Sequence, residues 1–375
     1  MKNKFLTISI GFALFSMFFG SGNLTFPLLA GYESGGHYGF AALGILLSGV
    51  VIPFIGVFAL ILFNGDGRAF FGLLGPKAYF WASVVCISLM GPFGVLARCI
   101  TVAHGSLCHL FPTLSLPLFS ALFCALVFAC TLRKSRIIPL LGSLLTPFLL
   151  LSIGVIVLFA LKGESPPTTA EGSPLPAFVS GLVTGYQTMD LVAALFFSSF
   201  VIGLLKRGEG RAHLFGKSAL IGAGLLAAVY VALVAIGSLY APDLVGVAPQ
   251  ELLATVANQA LGPVGGPIVA AAIVLACLTT AIVLAELFAQ MLRVDLTKGR
   301  LPPKVAMGIT LLIGLLISTL EFSGIARFLG PILEVAYPAL ILFTLSAIVY
   351  RLWGVRPRRW PIFLAVGAAL VWYIS

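Results

Sequence analysis

The sequence predicts an all-α polytopic membrane protein, and three observations carry that prediction: a hydrocarbon-rich composition, long uncharged runs, and basic residues confined to one side. Apolar residues make up 60% of the 375 and charged residues only 9%, whereas a soluble domain has roughly 25% charged. Mean hydropathy is +1.13. Nearly uncharged runs of about 18 residues or more, each able to cross a hydrocarbon core about 30 Å thick, recur about eleven times. They begin at Phe5, Tyr38, Ala78, Leu116, Ile137, Phe178, His213, Val264, Pro303, Leu329 and Trp360.

Orientation follows from where Lys and Arg fall. With the N-terminus in the cytoplasm, 19 of the 22 basic residues face inward, Lys162 and Arg327 face outward, and Arg98 lies within the membrane. Glu33, Glu164, Glu171, Asp243, Glu251 and Glu321 lean outward. The net charge of +10 therefore belongs to cytoplasmic loops and does not mark a nucleic-acid binder. The opening "MKNKFLTISIGFALF" reads as the first span and not as a signal peptide, since its apolar stretch runs on and no A-x-A site follows. The six cysteines have no metal-ligand spacing and read as small packing residues. No cofactor is expected.

The chain divides as a single membrane domain over residues 1–375. Residues 1–161 hold five spans, and 162–177, "KGESPPTTAEGSPLPA", form a Pro-rich external link. Residues 178–350 hold five more, and 351–375 add a C-terminal helix. An odd number of spans per half makes the halves enter the membrane from opposite sides, the geometry of a five-plus-five inverted repeat. Such repeats carry interrupted helices at corresponding positions. Between Ala241 and Pro263 the pattern of Leu252, Leu253, Val256 and Leu261 predicts a short amphipathic helix on the outer face.

The interruptions are visible. The first span contains "MFFGSGNLTFP", and the first span of the second half contains "TGYQTMD". Gly20 and Gly22 each lower helix propensity by about 1 kcal/mol relative to Ala, and non-helical backbone survives at this depth only where it lines a cavity or meets protein. A break there exposes amides from Ser21 to Asn23 at a half-helix N-terminus, where an anion such as a carboxylate is favoured. The carbonyls around Ser16 and Phe19 face the other way and suit a cation. Close helix packing through small residues is the competing reading. In "ACLTTAIVLAE", Ala276, Thr279 and Thr280 share one helix face and offer a carbonyl and two hydroxyls to a small hard cation, unless the threonines bond back to their own helix.

Four ionisable residues lie inside spans: Arg98, Asp190, Glu286 and Glu334. Each is a functional candidate that needs a partner. Asp190 closes the second break and is positioned for a substrate amine, a cation or a proton, with Arg98 as its expected partner. Glu286 lies nearer the cytoplasmic end, and for Glu334 gating and structural roles stay open.

"GFALFSMFFGSGNLTFP", "GLVTGYQTMDLVAAL", "ACLTTAIVLAELFAQ" and "EVAYPAL" together resemble the bacterial branched-chain amino acid:cation symporter family, within the amino acid/polyamine/organocation superfamily, over nearly the whole chain. The resemblance implies import of leucine, isoleucine or valine coupled to Na+ or H+ in the cytoplasmic (inner) membrane. It also implies that Gly20, Ser21 and Gly22 cradle the substrate carboxylate and that Asn23 offers its side-chain oxygen to a second cation. Gly185, Tyr186 and Thr188 would line the pocket, and Ser16, Phe19, Ala276, Thr279 and Thr280 would form the more widely shared sodium site. Family members usually have twelve spans where eleven are read here. The segment after Thr280 is about a turn short, and Glu334 stands where a neutral side chain is usual. The implied partners are a small amino acid and membrane lipid.

Two other classes find little support in the sequence. His104, Cys108 and His109 at the outer end of the third span are raw material for an enzyme, but they come with no nucleophile-base-acid spacing. A channel would need a filter or an acidic ring, and the sequence contains neither.

Overall fold

In the computed structural model, residues 7–355 are described apart from 9, 13, 16–17, 109, 133–136, 163–171 and 197–210, together with 366–367. Ser16 and His109 therefore lie outside the described residues, as do most of the external link and most of the span expected from Trp360. Among the described residues every regular element is helical.

The longer elements are α1 (Ser21–Tyr32), α2 (Tyr38–Leu46), α3 (Ile52–Leu62), α4 (Gly67–Gly72), α5 (Ala78–Met90), α6 (Val95–Cys108), α7 (Leu116–Leu132), α8 (Ile137–Ala160), α9 (Leu175–Gln187), α10 (Arg211–Leu239), α11 (Leu252–Met291), α12 (Pro303–Ser318) and α13 (Glu321–Trp353). Helices dominate because hydrocarbon leaves a backbone no outside partner, so each segment must satisfy its own amides and carbonyls. Five stretches of the described residues are long and apolar enough to cross a membrane: Tyr38–Leu62, Ala78–Cys108, Phe215–Leu239, Gly265–Leu296 and Glu321–Trp353.

Local chemistry sets the boundaries. The span expected from Ala78 bends where Gly91, Pro92 and Gly94 separate α5 from α6, because Pro supplies no amide to the ladder. α2 and α3 are joined by a π-helical turn, Leu47–Val51. Gly262, at φ 67°, interrupts α11, so the amphipathic helix expected on the outer face and the span behind it are distinct segments. Leu252, Leu253 and Val256 of that outer helix are buried, as their spacing requires. The last long helix starts at Glu321, eight residues before the expected Leu329, because "EFSGIARF" contains no proline and its single glycine does not end the helix.

Glycines set how closely the helices cross. A Cβ on Gly31 of α1 would overlap the Val234 carbonyl oxygen of α10, and one on Gly237 of α10 would overlap that of Leu28. A second crossing repeats the device: Gly44 of α2 lies against the Phe178 carbonyl of α9, and Gly181 of α9 against that of Ala41. Without a solvent-driven hydrophobic force between helices in lipid, such contacts let van der Waals packing hold them together. Thus α1 crosses α10 and α9 crosses α2, backbone to backbone.

Candidate functional site

The first interruption falls at Phe19 and Gly20. Phe19 is not helical, Gly20 is extended at φ −116° and ψ −165°, and the helix restarts at Ser21. The second falls at Thr188 and Met189, between α9 and a helical stretch from 190 to 196. Met189 has φ 62°, a left-handed conformation that costs a residue with a Cβ roughly 1–2 kcal/mol. Its side chain is buried, so packing holds the strain in place.

The two interruptions meet. A Cβ on Gly22 would lie 3.5 Å from Thr188 Cα. Asn23 Nδ2 donates to Asp190 Oδ1 at 3.0 Å and Oδ2 at 2.8 Å, and to Tyr230 Oη of α10. The Tyr230 hydroxyl in turn donates to Asp190 Oδ2 at 2.7 Å. Asn23 Oδ1 accepts the Gly20 amide at 2.9 Å, so one amide side chain ties the restart of α1 to the restart after the second break. Ser21, Asn23, Thr188, Asp190 and Tyr230 are all buried.

The remaining expected residues occupy distinct places. Ser21 Oγ accepts from the Cys99 thiol of α6 at 3.5 Å. A Cβ on Gly20 would lie 3.5 Å from Thr280 Cγ2 and 4.0 Å from its hydroxyl oxygen, so α11 presents Thr280 to the first break. Thr279 Oγ1 donates to the Ala276 carbonyl at 2.8 Å, the back-bonded arrangement weighed above. Phe19 stacks on Phe15 with ring centroids 4.9 Å apart. Gly185 sits where a Cβ would overlap Ser48 Oγ, which makes it a clearance residue where α9 passes the π-helical turn after α2. Thr188 Oγ1 donates back to the Gly185 carbonyl at 2.8 Å. Tyr186 turns to α13, its ring centroid 4.9 Å from that of Tyr337.

Arg98 is not bonded to Asp190 as expected. Its Nη1 donates to the Gln187 carbonyl and its Nη2 to Gln187 Oε1, both at 2.7 Å. The Phe26 and Phe322 rings lie 4.9 and 5.6 Å from its guanidinium carbon. The reason is geometric: Gln187 ends α9, and its carbonyl needs a donor that the broken ladder no longer supplies. A Cβ on Gly330 would come within 3.0 Å of Gln187 Nε2 and 3.8 Å of Glu334 Oε1, so Glu334 lies beyond Gln187 on α13. Gln187, Tyr230, Phe26 and Phe322 were missed from the sequence. The one available signal for Tyr230 was a phenol in the otherwise aliphatic run "LLAAVYVALVAIG".

Paired interruptions inside a helical membrane protein, tied through buried polar side chains, characterise this fold. The same fold is found among solved structures: the chain is similar to the inward-facing conformation of Mhp1 with a TM-score of 0.63, at 15% identity and covering 92% of this chain and 77% of that one. Mhp1 is described as a nucleobase-cation-symport-1 family transporter. A Na+-coupled sialic acid symporter matches with a TM-score of 0.56 at 12% identity, covering 97% and 88%. The model of the branched-chain amino acid transport protein family matches residues 3–372, and the chain belongs to that family. It is 30% identical to the branched-chain amino acid permease BraB of Bacillus subtilis, over 91% of this chain and 80% of that one. It is also 30% identical to the branched-chain amino acid transport system 3 carrier protein of Pseudomonas aeruginosa, over 92% and 81%. These relatives are carriers and permeases, which places the chain among integral membrane transporters and not among enzymes.

Proposed function

We propose that the protein imports branched-chain amino acids across the bacterial inner membrane by cation-coupled symport, through alternating access of a site between the two breaks. The observation that carries this reading is the Asn23–Asp190–Tyr230 network, which joins both interrupted spans at one buried point. A zwitterion fits such a place: the amides of Ser21 and Gly22 at the start of α1 favour its carboxylate, and Asp190 favours its amine. Gly20, Asn23, Gly185, Tyr186 and Thr188 complete the proposed surroundings.

The coupling cation, Na+ or H+, is assigned to the first break. There the carbonyls of Ser16 and Phe19 would join Ala276, Thr279 and Thr280, with the Asn23 oxygen as the candidate ligand of a second cation. Thr280 beside Gly20 supports this assignment. The reciprocal glycine crossings support the five-plus-five inverted repeat over 1–161 and 178–350, and the charge asymmetry supports a cytoplasmic N-terminus. Ion and substrate would each tighten the other's binding, as linkage demands.

Uptake of labelled leucine by proteoliposomes, with and without gradients of sodium and pH, tests the proposal. Saturable uptake that one of the gradients accelerates is expected, and uptake indifferent to both rejects coupling. The same assay across neutral amino acids decides whether another of them is preferred, since one methylene in an apolar pocket is worth only about 1–3 kcal/mol.

A further inference from the structure

The connection between α11 and α12 gathers positive charge around one hollow. α11 runs into a π-helical turn, Leu292–Leu296, and the Thr297 hydroxyl behind it faces the carbonyls of Leu292 and Arg293 at 3.0 and 2.9 Å. Lys298 and Gly299 then take left-handed conformations, φ 51° and 81°, and the Gly299 amide donates to the Arg293 carbonyl at 2.7 Å. The chain therefore doubles back on the turn. Arg293, Lys298 and Arg300 line a cavity of about 550 Å³ walled by Leu301, Pro302 and Pro303, and among the described residues no carboxylate lines it. Three like charges around one hollow repel one another unless an anion sits among them. The two guanidinium groups add planar forks that match phosphate oxygens.

A second observation says what carries the phosphate. α12 starts at Pro303, on the cavity wall. From there Val305, Ile309, Leu312 and Leu316 follow along one helix face and are all exposed, whereas Ala306, Thr310, Gly314 and Ser318 of the other face are buried. An apolar stripe thus leads away from the basic cavity. Phosphate beside hydrocarbon is the chemistry of a phospholipid.

We propose that this cavity holds the phosphate of one anionic phospholipid, whose acyl chains lie against the exposed stripe of α12. The proposal is independent of the symport reading, since none of these residues belongs to the two breaks. A lipid seated there would brace the end of α11 against the start of α12. The competing account is diffuse attraction of a basic loop to an anionic membrane surface.

The test titrates the full chain in detergent with dioleoylphosphatidylglycerol and counts retained lipid by native mass spectrometry. One tightly held phosphatidylglycerol per chain is expected, with phosphatidylcholine, whose choline cancels the phosphate charge, held at least tenfold more weakly. Each lost cation should weaken binding about fivefold, so Arg293→Gln and Arg300→Gln together should weaken it about 25-fold. Lys77→Gln, at an exposed position on a different loop, should leave it unchanged. Glycerol phosphate and inorganic phosphate, which lack acyl chains, should not displace the lipid at matching concentrations. Equal weakening by Lys77→Gln and by a single cavity variant shows diffuse attraction and overturns the proposal, as does equal retention of the two lipids. Displacement by glycerol phosphate or inorganic phosphate at matching concentrations assigns the cavity to a soluble phosphate and overturns it too. If the double variant does not fold, Lys298→Gln, at an exposed site, decides by the presence or absence of its fivefold loss.

Discussion

Replacing Asn23 with alanine tests whether the two breaks are held together by the network described above. The substitution removes the acceptor of the Gly20 amide, a loss comparable to that of an N-cap and worth about 1 kcal/mol. It also removes both Nδ2 bonds to the Asp190 carboxylate. A buried charged group that loses its hydrogen bonds costs about 1.5–3 kcal/mol, so Asn23→Ala should destabilise the fold by about 2.5–4 kcal/mol. Part of that penalty disappears when Asp190 is absent. In a double-mutant cycle of Asn23→Ala and Asp190→Ala, followed by equilibrium unfolding in mixed micelles, the coupling should therefore reach about 1.5–3 kcal/mol. Additivity within about 0.5 kcal/mol would refute the reasoning, because it would mean the two residues act independently.

Other perturbations separate the remaining contacts. Tyr230→Phe deletes a single charge-assisted bond to Asp190 and should cost about 1.5–3 kcal/mol, less than Asn23→Ala in the same unfolding assay. Gly181→Val places a branched side chain against the Ala41 backbone; overpacking of this kind costs about 1–3 kcal/mol or more, and a lowered midpoint of thermal aggregation in detergent would report it. Thr280→Ala should raise the cation concentration needed for half-maximal uptake about tenfold, the effect of about 1.4 kcal/mol, while leucine affinity at saturating cation stays unchanged. Exchanging Arg98 and Asp190 in one chain should not recover uptake, since Arg98 is bonded to Gln187; recovery would show a direct ion pair.

The class of fold was legible because it depends on a solvent argument. A chain that is 60% apolar and 9% charged, with uncharged runs of about 18 residues or more, satisfies its backbone in hydrocarbon by forming helices. The first break was legible too, since Gly20 and Gly22 weaken the helix locally. The second was legible in place but not in detail. The residue that takes the left-handed turn is Met189, while Gly185 gives clearance to the π-helical turn after α2. A glycine can be spent on clearance as well as on backbone freedom, and only the neighbouring Ser48 decides which.

Long-range pairings were harder to read. Asn23 and Asp190 stand 167 residues apart, and Arg98 and Gln187 stand 89 apart. No local pattern encodes such distances. From the sequence, Arg98 pairs with Asp190 as a fellow charge inside the spans, whereas the assembled helices offer it the Gln187 carbonyl.

What the sequence determined by itself was everything set by neighbours along the chain: membrane residence, the positions of the breaks and the amphipathic helix ahead of Gly262. The tertiary structure alone decided which polar groups share a partner. That outcome depends on how closely glycine-lined helices approach, and in hydrocarbon a buried donor takes whichever acceptor packing brings within 3 Å or so.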